Sequence, residues 1–148
     1  QMAIPLILSH PQYPEYLQER LRHYEKLSNI AYNLLKDVPY VVVNRTDGAF
    51  YMTVAFNEAV LNGRQTLPIQ QADVRTYIEK LVSGKIEYDK RFVYYLLGAT
   101  GICTVPLTSF YTSLPDFRMT LLERDEGKFE EAIRAMAGAI VQYVESAR

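Results

Sequence analysis

Between residues 14 and 36 the apolar positions recur every three or four steps: Leu17, Leu21, Tyr24, Leu27, Ala31 and Leu34. Glu15, Gln18, Glu19, Arg22, Glu25 and Lys26 fill the other face. This period predicts a long amphipathic helix, with Pro14 suited to its first turn and Pro39 just past its end. The pattern then changes. The β-branched run 40–43 predicts a buried strand, 44–48 carries turn chemistry in Asp47-Gly48 with positive φ expected at the glycine, and 49–56 predicts the returning strand of a hairpin. Residues 57–70 have weak periodicity and read as a loop.

Helical spacing returns at 72–83 through Val74, Tyr77, Ile78, Leu81 and Val82, with Gly84 as the stop. A further helix runs through Phe92, Val93, Leu96 and Leu97, capped by Asp89 and ending near Gly98 and Gly101. Residues 102–105 predict a strand stopped by Pro106. In 116–122 the alternation is clear: Phe117, Met119 and Leu121 face one way, Asp116, Arg118 and Thr120 the other. Asp125 then caps a last helix with the stripe Phe129, Ile133, Met136, Ala137, Ile140 and Val144. The order of helix, two strands, two helices, two strands and helix predicts an α/β (α+β) two-layer sandwich with a small, largely antiparallel sheet.

Composition narrows the function classes. The 148 residues suffice for one domain with its own core, and 49% hydrophobic with 22% charged residues places the chain among soluble globular proteins. A net charge of −1 gives no electrostatic case for nucleic acid or an anionic membrane as partner. No apolar run approaches the roughly 20 residues that span a bilayer. The apolar opening at 2–8 is too short, and lacks the basic start, to be read as a signal peptide. A single cysteine, Cys103, forms no internal disulfide, which fits a reducing compartment. No Cys/His cluster has metal-ligand spacing.

Among residues that could carry chemistry, Arg118 stands out. An arginine on the polar face of an otherwise apolar strand can present its planar fork to a carboxylate. The alternative is a surface arginine, solvated or paired with Asp116 or Glu123. The aromatic loop Phe110-Tyr111 lies close to it in sequence. Other candidates have ordinary readings. Lys85 follows Gly84 but lacks the rest of a phosphate loop, and a basic residue at a helix C-terminus explains it. His10 and His23 stand far apart without a nucleophile or ligand motif. Ser109 has no nucleophile-elbow context. Cys103, in an apolar segment, reads as a small core residue, and Glu130 and Glu131 as a solvated helix face. No catalytic constellation, cofactor site or metal site is read within the chain.

Three stretches taken together go further. Asp47-Gly48-Ala49-Phe50-Tyr51-Met52, then Thr100-Gly101-Ile102-Cys103-Thr104-Val105-Pro106, then Phe117-Arg118-Met119-Thr120-Leu121-Leu122 resemble the C-terminal small domain of class I/II aminotransferases. These are pyridoxal-phosphate enzymes of the aspartate aminotransferase fold, and the alanine-aminotransferase-like branch is the most similar. The resemblance covers 11–148 and implies that 1–10 is a linker from a missing large domain. It implies that Arg118 binds the α-carboxylate of an amino- or 2-oxo-acid substrate, with Phe110 near the substrate. The cofactor, pyridoxal 5'-phosphate, would be anchored outside this chain, because no lysine here has the serine-rich context of the family's cofactor lysine. The isolated chain is therefore expected to be inactive, and the intact enzyme to be a cytoplasmic homodimer. The family's proline-glycine-serine turn is replaced by Pro106-Leu107-Thr108-Ser109-Phe110, and 57–88 is longer than the family leads one to expect. Two other readings are a standalone, non-catalytic α/β binding or assembly module, and the same domain of a pyridoxal-phosphate decarboxylase or lyase.

Overall fold

The computed structural model describes residues 2–147; Gln1 and Arg148, the outer ends of the two predicted segments, lie outside the described residues. A short helix, α1 (Ala3–Leu8), precedes the long helix α2 (Tyr13–Leu35). Strands β1 (Val41–Val43) and β2 (Tyr51–Phe56) form the expected hairpin. Helices α3 (Ala72–Leu81) and α4 (Tyr88–Thr100) follow, then β3 (Val105–Pro106), a 3₁₀ turn (Leu107–Phe110), β4 (Phe117–Thr120) and the closing helix α5 (Glu126–Glu145). The four strands make one antiparallel sheet in the order β1-β2-β4-β3. The mixed helix and antiparallel-sheet class expected from the sequence is therefore the observed one.

Strand alternation sorts the sheet into two faces. Val41, Met52, Val54, Phe56, Phe117 and Met119 are buried and share a core with Leu27, Ala31 and Leu35 of α2 and with Phe129, Ile133, Met136, Ile140 and Val144 of α5. At the centre sits Phe92 of α4, fully buried, its ring centroid 5.1 Å from Phe56, 5.2 Å from Phe117 and 5.1 Å from Tyr143. The opposite face, with Val42, Tyr51 and Val105, is open. Lys26 pairs with Glu126 where α2 meets α5. The loop 57–70 is held by the buried Gln65, whose Nε2 donates to the carbonyls of Val60 and Val144 and whose Oε1 accepts from the Asn62 N–H.

Several local expectations need correcting. Positive φ falls on Ala49 (φ 59°), one residue beyond Gly48, because the chain reverses just before β2. The third helix stops at Leu81 with Val82 as its C-cap, ahead of Gly84. The fourth helix takes Glu87 as its N-cap, in extended conformation, so Asp89 lies inside the first turn and is not the N-cap. Gly101 does end that helix, left-handed at φ 75°. The strand expected at 102–105 begins only at Val105 and includes Pro106, since pairing with β4 is limited to Val105–Arg118 and Pro106–Phe117. Cys103 consequently lies on an unpaired crossing and is exposed, not a core residue. Asp125 caps α5 as expected, accepting from the Lys128 N–H at 3.0 Å.

Gly98 explains how closely α4 approaches its neighbours. A Cβ at this position would stand 2.8 Å from Cδ1 of Ile69 and 2.9 Å from Cγ1 of Ile78. Alanine would gain about 1 kcal/mol of helix propensity. Overpacking against two buried isoleucines costs about 1–3 kcal/mol. Gly98→Ala is therefore expected to lower stability by about 1 kcal/mol in chemical denaturation, and a stabilised variant would contradict this close approach.

Candidate functional site

Arg118 lies mid-strand in β4, with Thr53 of β2 and Val105 of β3 as its cross-strand partners. Its neighbours Phe117 and Met119 are buried on the core side, so the arginine projects from the open face. The guanidinium carbon stands 4.2 Å from the ring centroid of Tyr51 and 4.5 Å from that of Phe110. Each contact is worth about 0.5–2 kcal/mol, depending on how dry it is. Among the described residues the Arg118 side chain makes no ion pair or hydrogen bond, and its Nε is buried without a partner. Asp116 and Glu123, the two carboxylates that could have satisfied it, are engaged elsewhere. Asp116 accepts from the Phe56 N–H at 3.0 Å, and Glu123 accepts from the N–H groups of Arg124 and Asp125. The arginine is thus fixed by two aromatic rings while its fork has no internal carboxylate. This arrangement suits a bidentate bond to an external carboxylate.

The structure brings Arg118 and Phe110 together and leaves the other polar candidates elsewhere. His10 Nδ1 accepts from the Gln12 N–H at 3.2 Å, and His23 Nε2 donates to the Glu123 carbonyl at 2.9 Å. Lys85 is exposed in the connection between α3 and α4, and Ser109 is exposed in the 3₁₀ turn. Glu130 pairs with Arg134 on the solvent side of α5. Three residues join the site that sequence reasoning did not assign to it. Tyr51 sits on the same face as Thr53; an aromatic on the polar face of a strand was the available signal. Asp89 and Thr108 hold the 3₁₀ turn that carries Phe110.

Burial holds the Asp116 carboxyl above the usual carboxylate range; the Phe56 N–H opposes the rise and the charge of Asp89 adds to it. The folded state then keeps this proton more tightly than the unfolded chain does. Asp116 therefore contributes most to stability in acid, and that contribution falls as pH rises through its folded-state titration. Asparagine keeps an acceptor for the Phe56 N–H and cannot ionise. Asp116→Asn is expected to be more stable than the parent at pH 7, with the advantage shrinking towards pH 4, near the ordinary aspartate value of about 3.9. Denaturation at both pH values checks this; an equal loss of stability at each would contradict it.

The family resemblance implies a cofactor aldehyde held by a lysine near Arg118. The six lysines are Lys26, Lys36, Lys80, Lys85, Lys90 and Lys128. Lys26, Lys80, Lys90 and Lys128 lie on helices, Lys36 at the C-cap of α2 and Lys85 in a connection; none is buried, and none lies on the open face of the sheet. Lys26 and Lys90 are engaged with Glu126 and Glu87. The residues of this chain therefore do not fit the anchoring of pyridoxal phosphate. Among the described residues no group of His, Cys, Asp and Glu could hold a metal ion, and no helix is long and apolar enough to cross a membrane.

No family model matches the chain. It is 47% identical over 146 residues to an uncharacterized aminotransferase of Methanocaldococcus jannaschii, covering 99% of this chain and 34% of that protein. The chain thus spans about a third of the length of this curated relative. Among solved structures, the aspartate aminotransferase of Rhizobium meliloti superposes with a TM-score of 0.65 at 26% identity, over 91% of this chain and 29% of its own. An aromatic aminotransferase of C. albicans gives a TM-score of 0.60 at 16% identity, over 91% and 27%, which is a likeness of fold. In sequence and in fold the chain matches the small C-terminal domain of aminotransferases.

Proposed function

We propose that this chain is the small domain of a pyridoxal-phosphate-dependent aminotransferase of fold type I, and that Arg118 binds the α-carboxylate of its amino-acid and 2-oxo-acid substrates. The observation that carries the reading is the placement of Arg118. It projects from the open face of the sheet, is flanked by Tyr51 and Phe110, and has no carboxylate partner among the described residues. It also stands in the Phe117-Arg118 strand, where the family resemblance puts the carboxylate-binding arginine. A two-point clamp of this kind fixes the substrate backbone, so that the bond to be broken is held in one orientation against the cofactor.

The cofactor, when bound, supplies the electron sink for amino-group transfer. This chain's share is binding and orientation, since its lysines do not stand at the clamp. The lysine and the proton-transfer groups are assigned to a large domain, and a homodimer to the intact enzyme. An exposed free thiol at Cys103 is compatible with a cytoplasmic setting. The chain by itself is expected to be inactive. In the test, the intact protein is incubated with pyridoxal phosphate, a ¹⁵N-labelled amino acid and an unlabelled 2-oxo acid. Transfer of ¹⁵N to the second carbon skeleton is the expected result. Release of carbon dioxide or ammonia without transfer would overturn the aminotransferase reading in favour of a decarboxylase or lyase.

A further inference from the structure

Asp89 is fully buried, and the proposed binding of a carboxylate by Arg118 does not itself use it. Its carboxylate reaches from the first turn of α4 to the 3₁₀ turn. Oδ2 accepts from the Thr108 N–H at 2.9 Å, and Oδ1 accepts from the Thr108 hydroxyl at 2.8 Å and from the Lys90 N–H at 2.8 Å. A helix N-terminus favours a negative charge at this place. Thr108 is two residues from Phe110, whose ring lies against the Arg118 guanidinium. A second tie, from the Leu107 N–H to the Asp116 carbonyl at 2.8 Å, holds the start of the same turn. Beyond Phe110 the chain turns away through Tyr111, left-handed at φ 60° and fully exposed. The anchoring of Phe110 therefore comes from the N-terminal side of the turn, where Asp89 accepts from both hydrogen-bond donors of Thr108.

We propose that Asp89 is a positioning residue of the carboxylate site. Acting through Thr108 and the 3₁₀ turn, it keeps Phe110 against the guanidinium and so fixes the direction in which Arg118 presents its fork. This rests on the reading of Arg118 as the carboxylate-binding group. The geometry also assigns a purpose to the loop Pro106-Leu107-Thr108-Ser109-Phe110: its threonine is the handle by which the buried carboxylate holds the turn.

The test has a spectroscopic arm and a kinetic arm, both in the intact protein. With ¹⁵N-labelled arginine, the Nε–Hε resonance of Arg118 is assigned by its loss in Arg118→Lys, and the neighbouring rings displace it. Phe110→Leu is expected to move this resonance. Asp89→Asn and Thr108→Val are expected to move it in the same direction, while Thr108→Ser, which keeps the hydroxyl, leaves it in place. Thr108→Val retains the side-chain volume and one of the two Thr108 bonds, so it carries the test if Asp89→Asn does not fold. The same variants are expected to raise KM for the amino acid and the 2-oxo acid about fivefold to tenfold, with a smaller change in kcat. If Phe110→Leu moves the resonance and both anchor variants leave it at the parent position, the proposal is overturned; it is equally overturned if none of the three moves it. If the anchor variants move it and KM for the acids stays unchanged, the anchoring of Phe110 stands and the carboxylate reading of Arg118 fails.

Discussion

Arg118→Ala should reduce kcat/KM for the acid substrates of the intact enzyme by on the order of 10²- to 10³-fold. The magnitude follows from the chemistry of the contact. Losing one partner of a desolvated, hydrogen-bonded charge pair costs about 2–5 kcal/mol, and each 1.4 kcal/mol is about a factor of ten. Most of the loss should appear in KM, because the clamp is present in both ground and transition states. Part should appear in kcat, because a substrate held at one point is less well aligned. Arg118→Lys keeps the charge but not the planar fork, and gives up the stacking on Tyr51 and Phe110. It should fall between the parent and the alanine variant. Parent-like kinetics for both variants would reject the assigned role.

The second large effect concerns the scaffold. Phe92→Ala should lower the unfolding free energy by about 3–5 kcal/mol, the usual cost of truncating a buried phenylalanine. The expectation is at the upper end because the ring touches three other rings. Phe56 is on β2, Phe117 on β4 and Tyr143 on α5, so this one side chain ties both central strands to two helices. Each aromatic pair adds about 0.5–1.5 kcal/mol beyond its buried area. Against a total of about 5–15 kcal/mol for an ordinary domain, the loss is large. Phe117 is also the residue before Arg118, so a loosened Phe92 cavity should be felt at Arg118. Phe92→Leu, which refills most of the volume, should cost less than half as much. Urea denaturation of the two variants checks this, and a loss below about 1 kcal/mol for Phe92→Ala would mean that the core closes over the gap and that Phe92 is not its hub.

The elements written in one period along the chain were legible. Helix α2, the hairpin of β1 and β2 and helix α5 each follow from local spacing, and the side of β4 on which Arg118 projects follows from alternation with Phe117 and Met119. Features that depend on distant partners were not legible. An aspartate just before a helical run reads as a cap, and nothing local shows that the Asp89 carboxylate turns to Thr108, nineteen residues on. Tyr51 was quoted in a family motif but not as a site residue. Only the register of β2 against β4, pairing Thr53 with Arg118, brings its ring to the guanidinium. Cys103 was misread because Ile102 and Val105 make its segment look like a strand, while β4 pairs only from Val105 onward. Family resemblance, rather than periodicity, raised Arg118 above an ordinary surface arginine. The structure adds that neither Asp116 nor Glu123 binds it.

The central claim is that Arg118 recognises a carboxylate, and the preference for an acid over its neutral amide tests it most directly. Binding of a 2-oxo acid and of the corresponding 2-oxo amide is measured by calorimetry for the intact parent enzyme and for Arg118→Ala. The account predicts that the parent prefers the acid by on the order of 10²-fold or more and that the alanine variant loses nearly all of that preference, the amide binding about equally to both proteins. An acid preference that survives intact in Arg118→Ala would contradict the account and place the carboxylate on another group.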